Sequence, residues 1–255
     1  MADLLAAYDE QLRTDAELTT ASSVTRLGPL FLATFGDEGF VTYRGDDAAE
    51  TVALVGAAAA HFRASPAIAS VEWKTRGHDH APGLHEALVA GGFERRESEA
   101  IMIGESRLLA VDVPLPAGVE LRRATSEAEV RAMSAMQAEV FGNPVHEARI
   151  QELLRGLESG DGLELWLAEV AGEIVSAGRL TPVPGTEFAG IWGGATRPAW
   201  RGRGIYRALT AERAHSAIRL GKRYINSDST EFSRPILERA GFTKVSTTTP
   251  YELTL

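Results

Sequence analysis

The chain has 255 residues, 44% of them apolar and 24% charged, with a net charge of −9 at neutral pH. That composition fits a folded protein of one large or two small domains and argues against disorder. Cysteine is absent, which excludes disulfides, thiolate zinc sites and cysteine nucleophiles.

Residues 2–18 read as an amphipathic helix, with early acids where a signal peptide would carry a basic n-region. No apolar run approaches the roughly 18 residues that span a bilayer. The expectation is a cytoplasmic protein without a membrane partner. Strands are predicted over 30–35 and 39–43, turning at Asp37-Glu38-Gly39. An alanine-rich helix follows over 48–63, then a strand over 69–75, a helix over 85–90 and a strand over 95–104.

Pro114-Leu115-Pro116-Ala117-Gly118 is poor helix and poor central strand, so it reads as a linker. It divides the chain into 1–112 and 113–255. The acidity is uneven: residues 1–110 hold 9 Lys+Arg against 17 acids, and the remainder 17 against 18. Nucleic acid is not an expected partner, because a phosphate-binding face needs a basic stripe.

The second part alternates strand and helix. Residues 119–123 suit a short strand. Ser126 and Glu129 form a capping-box pattern before a helix to about Val140. A second helix is predicted over 145–157. Two apolar runs, 163–170 and 173–180, flank Ala171-Gly172 as a hairpin. A strand over 188–196 leads to a helix over 204–220, then strand 223–227 and helix 232–240. Strands over 243–247 and 250–254 close the chain. The predicted class is α/β, a mixed sheet flanked by helices.

Two segments echo each other. Leu84-His-Glu-Ala-Leu-Val-Ala-Gly-Gly-Phe93 resembles Ser233-Arg-Pro-Ile-Leu-Glu-Arg-Ala-Gly-Phe242. Each is a short helix ending in Gly-Phe between strands. The first half therefore reads as a shortened relative of the second, although a helix stopped by Gly-Phe is also a general C-cap.

Residues 197–207 read Arg-Pro-Ala-Trp-Arg-Gly-Arg-Gly-Ile-Tyr-Arg: four arginines and no acid, between strand and helix. Gly202 and Gly204 allow close backbone approach to a ligand. The helix beginning near Gly204 offers unpaired N–H groups and the positive end of its dipole. Guanidinium groups add bidentate phosphate contacts. Together they describe a pyrophosphate site. A Rossmann fingerprint would need glycine at Arg207, and the Gly-Lys-Ser/Thr of a P-loop is missing.

The run Gly194-Ala-Thr-Arg-Pro-Ala-Trp-Arg-Gly-Arg-Gly-Ile-Tyr-Arg-Ala-Leu209 resembles the coenzyme A motif of the GNAT acyltransferases, Arg/Gln-x-x-Gly-x-Gly/Ala. The hairpin, the Gly-Phe ending and the element order from 119 to 254 agree. The resemblance implies a complete GNAT-like domain over 113–255, preceded by a shortened GNAT-like half without its own coenzyme A site. In that half the nearest loop, Tyr43-Arg44-Gly45-Asp46-Asp47, carries two acids that would repel pyrophosphate.

The resemblance further implies acetyl-CoA as co-substrate, with no metal. Pantetheine would pair with Gly194, Ala195 and Thr196. The pyrophosphate would sit on Arg201, Gly202, Arg203, Gly204, Ile205 and Tyr206, with Ser229 as a further coenzyme A contact. The family's usual thiolate-protonating tyrosine falls on Leu237, and a nearby asparagine position falls on Thr230. Tyr206, itself a departure from the motif's small residue, Ser233 and Ser229 are the candidate substitute acids, with water as a further alternative. Glu187 is the candidate base for the amine, with Glu231 a weaker one. Phe141, Asn143 and His146 lie where the family builds an acceptor wall. His78, Asp79, His80 and His85 have metal-ligating side chains but no second cluster, so they read as a polar loop.

The expected activity is acetyl transfer to a primary amine of a small molecule, by a monomer or homodimer. Two alternatives stay open: a non-catalytic acyl-CoA-binding module, and a tandem acyltransferase resembling mycothiol synthase.

Overall fold

The structure, a computed structural model, describes residues 2–19, 21–45 and 48–255. In chain order the elements are α1 (Ala2–Gln11), β1 (Ser23–Leu27), β2 (Leu30–Phe35), β3 (Glu38–Tyr43), α2 (Ala48–Ala53), α3 (Val55–Arg63), β4 (Ser70–Arg76), α4 (Leu84–Ala90), β5 (Glu94–Arg95) and β6 (Glu99–Glu105). They continue with α5 (Ser106–Leu109), β7 (Val119–Arg123), α6 (Glu127–Phe141), α7 (Glu147–Ser159), β8 (Glu164–Val170), β9 (Glu173–Pro182), β10 (Phe188–Thr196), α8 (Ile205–Arg219), β11 (Tyr224–Ser229), α9 (Arg234–Ala240) and β12 (Thr243–Thr254).

These elements form two compact units. The first contains the chain up to Met102 together with Asp228–Arg234 and Lys244–Leu255; the second contains Ile103–Ser227 and Pro235–Thr243.

In the first unit β1, β2 and β3 form an antiparallel meander, β3 runs parallel to β4, and β4 pairs antiparallel with β12. Alternate residues of these strands point to one face, and there Tyr43, Val71, Trp73 and Leu253 pack with Phe62 of α3 and Leu88 of α4. Around β4, Glu17 accepts from Arg76 at 2.5 Å, and Lys74 bonds Asp228 at 2.8 Å. Such buried charges persist only because each has an opposite partner.

The second unit is an antiparallel run β7-β8-β9-β10, with β11 added parallel to β10. Val130, Met133 and Met136 of α6 and Ile150 and Leu153 of α7 cover one face through Leu165, Leu167, Ala177 and Ala195. Ile205 and Leu209 of α8 cover the other through Trp166, Ala168 and Val175. The α6 capping box is present, with Ser126 accepting from the Glu129 amide and the Glu129 carboxylate accepting from Ser126. The hairpin between β8 and β9 turns at Ala171 (φ 49) and Gly172 (φ 85), both left-handed as that tight turn requires.

Several expectations change. The helix predicted over 48–63 is two helices meeting at Leu54. β1 adds a strand that the sequence does not signal, because a mostly exposed edge strand carries no alternating apolar pattern. The two strands predicted around Thr248-Thr249 are one twelve-residue strand running through Pro250. The proline lacks only a donor; its carbonyl still accepts from the Arg96 amide at 2.9 Å.

The two echoed helices end alike. The amide of Phe93 donates to the Leu88 carbonyl at 3.0 Å, and that of Phe242 to the Leu237 carbonyl at 3.0 Å. Both leucines are fully buried, and Gly92 (φ 91) and Gly241 (φ 110) supply the left-handed step before each phenylalanine. This is the Schellman closure, in which an apolar residue past the cap packs back on the helix.

Candidate functional site

β10 and β11 are paired only at Phe188↔Tyr224, Ala189↔Ile225 and Gly190↔Asn226. β10 nevertheless runs on to Thr196 and β11 to Ser229. On its other side, the β10 register against β9 breaks between Trp192 and Ala195. Gly193 (φ 62) and Gly194 occupy that break. Bulges of this kind take main-chain groups out of the ladder. Gln137 of α6 donates to the Gly193 carbonyl at 2.5 Å, and Ser176 takes the Ala195 carbonyl at 2.7 Å. Ser176 also bonds the Thr196 hydroxyl at 2.7 Å.

Beyond Thr196 a 3-10 turn, Pro198–Trp200, leads into the Arg/Gly loop. Gly202 (φ 73) and Gly204 (φ 82) are both left-handed, and nothing lies within 4 Å of a Cβ built on Gly202. The Ala208 amide closes the first turn of α8 onto the Gly204 carbonyl at 2.9 Å. The amides of Ile205, Tyr206 and Arg207 therefore have no carbonyl a turn earlier to bond.

The arginines divide their work. Arg201 anchors the loop by donating Nε to the Thr196 carbonyl at 3.0 Å. The Arg203 guanidinium stacks 4.8 Å above the Trp200 ring. Arg197 is tied to Glu139 at 2.7 Å and to Glu173 at 3.3 Å, so it belongs to the scaffold. Arg207 is exposed.

Tyr206 turns back from the first turn of α8 onto β10. A Cβ on Gly194 would stand 2.8 Å from its hydroxyl oxygen. Behind it, Arg213 of α8 is fully buried, with its guanidinium carbon 5.7 Å from the Tyr206 ring centre. Arg213 donates to the Leu209 carbonyl at 3.1 Å, the Arg179 carbonyl at 3.4 Å and the Thr210 hydroxyl at 3.2 Å, rather than to a carboxylate. Burial pushes its pKa down. Sequence reasoning missed Arg213, Gln137 and Ser176. A charged residue on the inner stripe of α8 was the available signal for the first.

The structure thus brings Gly194, Ala195, Thr196, the loop 201–206 and Tyr206 together within the second unit. It does not bring Glu187 to them. Glu187 precedes β10 at the end away from the loop, about 30 Å of extended strand from Thr196 at 3.3 Å per residue. Its side chain is half exposed and lies 3.8 Å from Arg223. Ser229 and Ser233 bond each other at 2.8 Å and belong to the first unit. Leu237, at the position of the family's usual acid, is buried.

His78 is held by Ser246 at 2.7 Å and Asp9 at 3.0 Å, and His85 by the Tyr251 hydroxyl at 2.8 Å. Among the described residues no group of three or more His, Asp or Glu is arranged to hold a metal ion. Asp46 and Asp47 of the first-half loop lie outside the described residues. No described helix is long and apolar enough to cross a membrane.

Residues 109–227 match the family model for the acetyltransferase (GNAT) domain. No curated protein matches the chain. Among solved structures it is similar to a GCN5-related N-acetyltransferase from Kribbella flavida, at 17% identity over 98% of this chain and 94% of that one, with a TM-score of 0.72. It is also similar to a tandem GNAT protein from the clavulanic acid biosynthesis pathway, at 17% identity over 91% and 81% of the two chains, TM-score 0.63. A functionally unknown conserved protein from Staphylococcus epidermidis shares 10% identity over 94% and 97%, TM-score 0.67. At these identities the solved structures speak for the fold, and the family model speaks for the segment that carries the Arg/Gly loop. Residues 109–227 thus match the acetyltransferase (GNAT) domain, and the mixed α/β fold of the chain is shared with GNAT proteins along nearly its whole length.

Proposed function

We propose that the second unit transfers an acetyl group from acetyl-CoA to the primary amine of a small molecule. The observation that carries this reading is the loop at 201–206, where two left-handed glycines expose the unpaired amides of the first turn of α8. Those amides and the helix dipole suit a diphosphate. The parted strands β10 and β11 leave main chain of Gly194 to Thr196 for a pantetheine arm. The amine nitrogen then bonds the acetyl carbon, the carbon–sulfur bond breaks, and the coenzyme A thiolate leaves. The amine gives up one proton and the thiolate takes one. Placement of the reactants supplies much of the rate. Tyr206 is the proton donor this arrangement favours, because its hydroxyl overlies Gly194.

Calorimetric titration with acetyl-CoA tests the site. Wild type should bind one equivalent. Arg201→Ala should loosen the loop and Gly204→Glu should repel the diphosphate, each weakening affinity by about tenfold or more, near 1.4 kcal/mol. Unchanged affinity in both variants would falsify the assignment. Coenzyme A release over a panel of amines separates an enzyme from a binding module: tight binding with no turnover favours the module.

A further inference from the structure

Arg179 lies on β9 opposite Trp192 of β10, at the last register pair before the break. Directly opposite residues of an antiparallel pair share a face. Ala177, two residues earlier, packs in the α6/α7 cluster, so Arg179 points to the α6/α7 side. Gly178, between them, faces the other way: a Cβ there would stand 2.6 Å from Arg213 Nη1. Arg179 is partly buried. Among the described residues its guanidinium makes no hydrogen bond and no ion pair. The nearest acid along α7, Glu152, is already paired with Arg149. Burial, with Arg149 adding repulsion, holds the Arg179 pKa down to about 9. A second open group shares this face. Asn226 of β11 pairs in register with Gly190, two residues before Trp192. Asn226 is 6% exposed, and its Oδ1 accepts no hydrogen bond among the described residues. Strand spacing and rise set the Cα atoms of Arg179 and Asn226 about 12 Å apart. An arginine side chain covers half of that distance.

We infer that Arg179 binds a carboxylate on the acceptor, so that the amine acetylated by this unit belongs to an amino acid or a similarly small amino-carboxylate. The inference rests on the transferase reading and narrows its substrate. One guanidinium matches a monoanion, and its planar fork matches a carboxylate in two parallel bonds. The Asn226 oxygen complements it as an acceptor for an amine N–H, on the same face and beside the break in β10 where the thioester would lie.

The experiment compares, for each of the twenty protein amino acids, the free acid, its carboxamide and its decarboxylated amine, by coenzyme A release. Only the carboxylate differs within each set. Wild type should prefer the acid by about 100-fold in kcat/KM, as a site built to bond one substrate group discriminates against analogues that lack it. Arg179→Gln should abolish that preference and leave the acetyl-CoA Kd within about twofold. Arg179→Lys, which keeps the charge and loses the fork, should retain part of it. Indifference of wild type to the carboxylate, or equal losses for acid and amide in Arg179→Gln, overturns the inference and leaves the transferase reading intact. Should no amine turn over, N-acetyl amino acids are titrated against the coenzyme A complex. Arg179-dependent binding supports the carboxylate site; its absence overturns it. Failure of wild type to bind acetyl-CoA overturns both readings.

Discussion

The ring of Tyr206 lies across Gly194: a Cβ on that glycine would stand 2.5 Å from ring atom Cε2. Glycine is needed there for space, so the residue that departs from the family pattern and the strand facing it form a matched pair. Gly194→Val should push the ring away at a cost of about 1–3 kcal/mol, read from urea unfolding, and should weaken acetyl-CoA binding. Gly194→Ala combined with Tyr206→Ala should lose less than the two single changes added together. Additive losses in that double-mutant cycle would show that the two residues do not touch in solution.

Arg179 sets stability against function. Burial lowers its pKa to about 9, below the ordinary arginine value of 12.5. Between those two values the unfolded chain binds more protons, so this group makes stability rise with pH across that window and penalises the folded state below it. Arg179→Met should therefore raise stability at pH 7 by about 1–3 kcal/mol. The gain over wild type should shrink from pH 8 to pH 10.5 in thermal melts. A destabilised variant would mean that the guanidinium has a structural partner.

Glu17 dominates the acid limb of the first unit. Burial opposes its ionisation, but the positive charges of Arg76 and Lys74 prevail and hold its pKa at about 2. A lowered carboxylate pKa contributes stability that is complete above about 4.5 and lost as pH falls toward 2. Glu17→Gln should cost about 3–5 kcal/mol at pH 7, because it leaves Arg76 buried without its partner. It should also flatten the loss of stability between pH 4.5 and 2, followed by urea midpoints.

The capping box of α6 gives a smaller, local effect. Ser126→Ala should cost about 1 kcal/mol. The Glu129 carboxylate accepts from the Thr125 amide at 2.7 Å and from the Ser126 amide at 3.0 Å, and its pKa falls to about 2. Its contribution likewise vanishes as pH drops from about 4.5 through 2. Equal acid sensitivity of wild type and Glu129→Gln, followed by urea midpoints, would remove it from the account.

Local signals made much of this legible in the sequence. The strand predicted over 188–196 has those bounds in the structure, because glycines and apolar residues mark it on both sides. Ala171-Gly172 gave away its hairpin, and Gly-Phe gave away the two matched helix ends. What stayed hidden depends on register. That Arg179 stands opposite Trp192, or Asn226 beside Gly190, follows from strand pairing, which no short window of sequence reveals. Glu187 was correctly set at the start of its strand, but the length of that strand carries it away from the loop. Pro250 looked like a break because its missing donor is visible in sequence and the carbonyl's partner, the Arg96 amide, is not.

β12 joins β4 through contacts such as Thr75 to Thr249, 174 residues apart along the chain. During synthesis the ribosome must make β7 to β11 of the intervening segment before the first unit can complete its sheet. Until then β4 is an unpaired edge, open to pairing with other nascent chains. Folding of that unit waits for β12 to emerge, and pairings this distant along the chain form slowly.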